Sequence, residues 1–208
     1  MVSVLLVLAS LALTEKQACA EYGEKLYAVE PELVAIEKAF RHCRPLAEAG
    51  DGEAQYYFAS VFMFRTPSQP PDSPHVEMWM QRSADNGYGK AQFYMATVYR
   101  YGGFSTRRDI AKAIEMYEKA AAQGVPPAPL ELARIYRYGG HGFAVDGAKA
   151  AYWYEFAARK LRMSDAMRAL VDLYTEGMEG VKQDTKKAQY WRNQLDKQQC
   201  APLTAQRC

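Results

Sequence analysis

The sequence predicts an all-α fold, an α-solenoid of stacked antiparallel helix pairs, on three observations. The first is a repeat. Trp79, Met116, Trp153 and Trp191 recur at spacings of 37, 37 and 38 residues, as do Asp72, Asp109, Asp146 and Asp184, and Ala54, Ala91, Ala128 and Ala166. The second is that apolar residues within each repeat fall at i, i+4, i+7 and i+8, one face of a helix. The third is that a glycine and then an aspartate separate the two apolar stretches of most repeats. A supersecondary unit of this length buries its apolar surface only against its neighbours and usually presents an extended face to a partner.

The elements follow in chain order. Val2 to Leu13 is an apolar run, too short to cross a membrane and similar to the core of a secretory signal peptide. It lacks the usual basic residues in front. Residues 1–20 are assigned to this leader, with cleavage after Ala12 (Ser10-Leu11-Ala12) or after Ala20 (Ala18-Cys19-Ala20). Lys16 stands where a lipoprotein signal has an apolar residue, which argues against lipidation at Cys19. Residues 21–52 are read as N-terminal capping helices, Pro31 to Ala49 forming the long one that covers the open end of the stack.

Four repeats follow, at 53–89, 90–126, 127–164 and 165–199, with a tail at 200–208. In the second, Ala91, Met95, Val98 and Tyr99 share a face, and Gly102-Gly103 end the helix by relieving a left-handed cap. Asp109 then offers an N-cap carboxylate to the next helix, whose stripe is Ala113, Met116, Tyr117 and Ala120 before Gly124. Pro126-Pro127 suits a new helix start. The third repeat reads Ala128, Leu132, Ile135, Tyr136, Gly139-Gly140, Asp146, Ala150, Trp153 and Ala157, and the fourth Ala166, Leu170, Leu173, Tyr174, Gly177, Asp184, Ala188 and Trp191. The first carries Ala54, Phe58, Val61, Phe62, Asp72, Trp79, Ala84 and Gly87, but its Arg65–His75 loop holds four prolines and reads as a stiff surface loop. Leu161-Arg162-Met163 stands where the earlier repeats have a helix-ending glycine and adds one residue. The Trp79, Trp153 and Trp191 column reads as core, and Glu115 and Glu118 as a wet helix face.

These columns resemble the Sel1-like repeat family, a relative of the tetratricopeptide repeat. Its pattern is roughly A-x-x-x-L-G-x-x-Y-x-x-G followed by D-x-x-K-A-x-x-W-Y-x-x-A-A-x-x-G. Ala91, Tyr99 and Gly102 match the first half, and Asp109, Lys112-Ala113, Met116-Tyr117, Ala120-Ala121 and Gly124 the second. Asp146, Lys149-Ala150, Trp153-Tyr154 and Ala157-Ala158 match again, as do Asp184, Lys187-Ala188 and Trp191. The resemblance covers about residues 50–199. It implies a right-handed superhelix and, with the leader, an exported bacterial protein, periplasmic or secreted. It also implies an adaptor for assembly, envelope maintenance, motility or host contact, not a catalyst.

In related helical repeats the first helix of each pair lines the concave face, and helical spacing picks out Tyr57 and Phe64, Tyr94 and Tyr101, Arg134 and Tyr138. The pentapeptide Tyr99-Arg100-Tyr101-Gly102-Gly103 recurs as Tyr136 to Gly140. Tyr99 and Tyr136 occupy the family's packing position and read as core. The expected groove contacts for a protein or peptide segment are Tyr57, Tyr94, Tyr101, Arg134 and Tyr138, since tyrosine and arginine offer large contact area with polar tips. The other reading is that these tyrosines hold neighbouring units together, with Arg100 and Arg137 lying on rings.

The remaining chemistry is sparse. Hydrophobic residues make up 49% and the net charge is +2, which excludes a disordered tail and gives no electrostatic case for nucleic acid. Arg107-Arg108 and Lys186-Lys187 read as ordinary solvated charge. Four cysteines suit an oxidising compartment, and Cys19–Cys43 with Cys200–Cys208 is the preferred pairing; free thiols in a reduced compartment remain open. His42, His75 and His141 are scattered and no Cys-x-x-Cys occurs, so neither metal nor cofactor is expected. No Ser-x-x-Lys occurs. The expected function is an exported, monomeric adaptor with no transmembrane span; the alternative is a cell-envelope hydrolase or sensor of peptidoglycan- or β-lactam-like ligands.

Overall fold

The computed structural model describes residues 14–64, 73–140 and 142–200. The apolar run to Leu13, most of the proline-rich loop, His141 and the tail that carries Cys208 lie outside them. Among the described residues there are ten helices and no strand: α1 (Glu15–Lys25), α2 (Leu33–Glu48), α3 (Gly52–Val61), α4 (Ser73–Asp85), α5 (Gly89–Tyr101), α6 (Ile110–Ala122), α7 (Pro127–Tyr138), α8 (Gly147–Lys160), α9 (Ser164–Glu176) and α10 (Thr185–Cys200). This is an all-α repeat fold. The chain divides into two compact units, residues 1–116 and 117–208, described in turn.

The same local chemistry joins the two helices of the second, third and fourth repeats. The aspartate N–H donates to the carbonyl of a tyrosine two residues before the end of the first helix: Asp109 to Tyr99 (2.7 Å), Asp146 to Tyr136 (2.8 Å) and Asp184 to Tyr174 (2.8 Å). Each aspartate carboxylate then accepts the backbone N–H three residues on, at Lys112, Lys149 and Lys187, satisfying a donor that a helix start leaves open. The ammonium groups of those lysines lie over the same tyrosine rings, at 5.4, 5.0 and 4.8 Å from the centroids. The D-x-x-K-A motif therefore closes a circuit between the end of one helix and the start of the next.

The tyrosines also reach back to the preceding repeat. Tyr99 donates to Gln81 Oε1 (2.9 Å) within the first unit, and Tyr174 to Glu155 Oε1 (2.8 Å) within the second. Burial and then the nearby Glu118 carboxylate push the Tyr136 phenol up. Gln81, Glu118 and Glu155 are spaced 37 apart, so Glu118 belongs to this joint and is more than a wet face.

In the first unit α1 packs on α2 and α3, α2 on α3, α3 on α4 and α4 on α5. Its core holds Cys43, Phe58, Trp79, Met80, Ala91 and Met95. The Cys19–Cys43 disulfide ties α1 to α2, with Cα atoms 4.7 Å apart. Gly23 sits against the Tyr57 ring, where any Cβ would collide. The α1–α2 pair continues the repeat columns. Lys38-Ala39 lies 37 residues before His75-Val76 and Gly50 lies 37 before Gly87, and Gly50 takes the same left-handed cap as Gly87. This helix pair precedes the four repeats and shares these two columns with the repeat that follows it.

In the second unit α7 packs on α8, α8 on α9 and α9 on α10. Ala128, Leu132, Ala150, Ala157, Ala166, Leu170 and Trp191 are buried there. The tryptophan column departs from expectation at Trp153, which is half-buried, as is Met116 in the first unit, while Trp79 and Trp191 are buried. The next residue, about 100° around the helix, is buried instead at Tyr117 and Tyr154. A bulky tyrosine at the centre of the interface moves the tryptophan column to its margin. Arg162 takes the place of the missing glycine and adopts φ +53°, the left-handed region, the one non-glycine among the described residues to do so.

Candidate functional site

The first helices of the first unit present a tyrosine face. Tyr27 stacks on Tyr56 (6.0 Å between centroids), which in turn meets Tyr88 at 5.2 Å. The Tyr27 hydroxyl shares a hydrogen bond with Ser60 Oγ (2.6 Å), and burial pushes its phenol far above the usual range. Tyr57 is 1% exposed and so is not a groove contact. The glycine at 23 admits its ring, and its hydroxyl donates to Glu24. Lys90 Nζ also reaches Glu24 (2.7 Å). The bonds from Lys90 and Tyr57 hold the Glu24 carboxyl below its ordinary value. Phe64, expected beside Tyr57, is half-buried against Leu26, Ile36 and Val61.

Tyr94 lies further along this face and lines an open pocket of about 420 Å³ with Phe62, Met63, Val76, Val98 and Phe104. The rim is apolar and wet: Phe104 is 74% exposed and Met63 38%. Glu77 closes one side. Its residue is 6% exposed, yet the carboxylate is fully served. It accepts the Phe104 N–H at Oε1 and, at Oε2, the Ser105 N–H (3.0 Å), the Ser105 hydroxyl (2.7 Å) and the Thr106 hydroxyl (3.0 Å). Burial alone would raise its pKa; these bonds outweigh it and hold the carboxyl below its ordinary value. Tyr94 is pushed up by burial and then by the charge of Glu77. Glu77 thus fixes the 103–106 turn, and with it Phe104 at the rim.

The other expected contacts are distributed. Tyr101 is 61% exposed with the Arg100 guanidinium 4.9 Å over its ring. In the second unit Tyr138 is exposed and lies 5.4 Å from Arg137, and half-buried Arg134 pairs with Glu131 (2.6 Å). The arginine–tyrosine contacts of the packing interpretation are therefore present at both pentapeptides. Glu77, Phe104 and Met63 were not legible as site residues, although a carboxylate at 77, where the later repeats carry Ile114 and Ala151, is visible in the aligned columns. Among the described residues no three His, Cys, Asp or Glu side chains gather to hold a metal, and no helix is long and apolar enough to cross a membrane.

The Sel1 repeat model matches residues 53–88, 89–125, 126–160 and 164–191. This chain belongs to the Sel1 repeat family. Sel1 repeat proteins are generally protein-interaction scaffolds. Solved Sel1 structures share the fold. A Sel1 repeat protein from Oxalobacter formigenes is 25% identical over 89% of this chain and 74% of its own, with a TM-score of 0.66. The c5321 protein, a protective antigen present in uropathogenic Escherichia coli strains and displaying an SLR fold, is 28% identical over 76% of this chain, also with a TM-score of 0.66. The present chain spans only 33% of the length of that protein. No curated protein matches this chain.

Proposed function

We propose that this Sel1 repeat protein is an exported adaptor that binds a peptide or protein segment along the first-helix face of its N-terminal unit. The observation that carries this reading is the pocket beside Tyr94, with Phe104 and Met63 exposed at its rim. A rigid aromatic held at a rim by a buried carboxylate is organised before binding, which lowers the ordering cost of association. The partner supplies an apolar side chain to the pocket, and Tyr101, which ends the helix leading into the pocket wall, adds contact area. The hydrolase or sensor alternative gains nothing from this site. Its carboxylate is occupied by four hydrogen bonds and acts as a structural anchor, not a general base.

Export draws support from the Cys19–Cys43 bridge, since disulfides persist in oxidising compartments. Of the two cleavage sites, the one after Ala12 keeps α1 and its cap. Thr14 caps α1 with a reciprocal Gln17 bond, and Ala18 and Cys19 are buried; a cut after Ala20 removes them all.

The test is photo-crosslinking in the native cell. A crosslinking residue is placed at Phe104, at Tyr101 and, as a control, at exposed Lys160. A discrete adduct at 104 or 101 but not at 160 is expected, and mass spectrometry names the partner. Equal yields at all three positions, or none, would overturn the reading.

A further inference from the structure

The turn from α1 to α2 carries apolar surface that the pocket beside Tyr94 does not use. Twelve large apolar side chains are exposed among the described residues, and four of them, Tyr27, Val29, Leu33 and Val34, fall within one stretch of eight residues. Val29 is fully exposed and so adds nothing to the packing of the fold. Leu33 and Val34 open α2, and Leu33 is 44% exposed and Val34 55%. Apolar side chains gathered in this way on an exposed turn mark a contact with another molecule.

The turn is held from within. Leu26 and Ile36, which belong to it, are buried with Ala39 and Val61, and the Cys19–Cys43 bridge ties α1 to α2. Tyr27 is fixed twice, by its stack on Tyr56 (6.0 Å) and by its hydroxyl on Ser60 Oγ (2.6 Å). The charge around the patch is acidic. Glu30, Glu32 and Glu37 are exposed, and Glu32, although it is the N-cap of α2, makes no side-chain capping bond. The neighbouring lysines are drawn to Tyr22. Lys25 lies over its ring (4.7 Å) and bonds Glu21 (2.6 Å), and Lys38 lies over the same ring (4.7 Å) and donates to the Tyr22 hydroxyl (3.0 Å). Arg41, the next cation along α2, stands two turns beyond Leu33 and Val34.

We propose that this patch docks a cationic amphipathic segment of a partner protein, whose apolar side chains cover Val29, Leu33 and Val34 while its lysines or arginines meet the three carboxylates. An apolar centre within a charged rim is the anatomy of a specific protein interface. The carboxylates attract a basic segment and reject an acidic one. The same three charges disfavour a bilayer with anionic headgroups. The patch shares no residue with the lining of the pocket beside Tyr94, so it is a second docking surface, independent of the one proposed above.

The experiment is a titration of the ¹⁵N-labelled full chain, followed at the Val29, Leu33 and Val34 amides. The probe is a capped peptide of about twelve residues whose leucines and lysines recur at helical spacing. One control replaces each lysine by glutamate, the other each leucine by serine. Saturable shifts at these amides are expected with the lysine–leucine probe, with binding weaker by about tenfold or more for either control and falling as salt is raised. The double substitution Val29→Ser with Val34→Ser is at exposed positions and keeps the fold, which circular dichroism checks. It should weaken binding about tenfold. Glu30→Gln with Glu37→Gln should flatten the salt dependence. Phe104→Ala, which strips the rim of the other pocket, should leave the titration unchanged. Equal binding of the glutamate probe, a doubly substituted protein that titrates like the wild type, or shifts centred on Tyr94 and lost in Phe104→Ala would overturn the proposal. So would cosedimentation with phosphatidylcholine vesicles that the same double substitution abolishes, since that assigns the patch to a lipid surface.

Discussion

Glu77→Gln tests whether one carboxylate builds the rim of the apolar pocket. Its two oxygens accept from two backbone N–H groups and two hydroxyls. Glutamine keeps the volume but turns one oxygen into a donor. The hydroxyls can rotate; a backbone N–H facing the new amide cannot. Hydrogen bonds to charged groups contribute about 1.5–3 kcal/mol each. Water reaches Phe104 and Ser105, which are exposed, and recovers part of the loss, so the net cost is about 2–3 kcal/mol. For a unit of this size that lowers its melting temperature by roughly 8–12 °C. Calorimetry of the full chain reads the first, and hydrogen exchange at residues 104 and 105 reads the local loosening. Acid gives an independent check. The Glu77 carboxyl is held below its ordinary value of 4.5, so its contribution is complete above that pH and is lost as pH falls through the depressed folded value. The melting gap between wild type and Glu77→Gln is therefore widest at neutral pH and closes on acidification below about pH 4.5. A gap that is absent, or that stays constant from neutral pH to pH 3, would refute the reasoning.

Further expectations concern the turn and the bridge. Arg162 is exposed and left-handed, so Arg162→Gly relieves about 1–2 kcal/mol of backbone strain. It gives back about 0.5–1 kcal/mol to the unfolded chain, and a rise of one or a few degrees in melting temperature is expected; no rise would show that the turn is unstrained. Gly124→Ala, at φ +77° with nothing near the new methyl, should lower stability by about 1 kcal/mol through the backbone alone. Reducing the Cys19–Cys43 bridge, which spans 24 residues, should destabilise the first unit by about 3 kcal/mol; an unchanged melting curve in reductant would count against it.

The repeat grammar was legible because its chemistry is local. An aspartate three residues before a lysine N–H, or a glycine at a left-handed cap, needs only its own turn to act, and Asp109, Asp146, Asp184, Gly102, Gly139 and Gly177 all take those places. The site was legible only in part, because spacing gives a face of a helix but not what covers it. Tyr57 has groove spacing, but α1, outside the recognised repeats, lies over it with a glycine at the point of contact. Tyr94 and Tyr101 keep their access because no helix among the described residues covers them. Glu77 reads as a routine helical carboxylate because its four partners lie 27 to 29 residues away.

The distinction between shared and unshared columns bears on where specificity resides in this fold. The Asp–Lys–Tyr circuit and the tyrosine joint to the preceding repeat recur with nearly the same geometry in both units. A feature that recurs from the second repeat to the fourth holds neighbouring helices together and cannot tell one partner segment from another. Discrimination must come from columns where repeats differ and the surface is open. Position 77 is such a column, as glutamate, isoleucine and alanine in successive repeats, and it meets the turn between the helices of the next repeat within each unit. With the glutamate, the turn is completed from inside and displays an aromatic. With the alanine, the turn is closed by its own Met178–Val181 pair and by the Gly147 N–H on the Glu179 carbonyl. One residue in one column thus decides whether a turn carries an anchored aromatic at its rim or is held by backbone bonds alone.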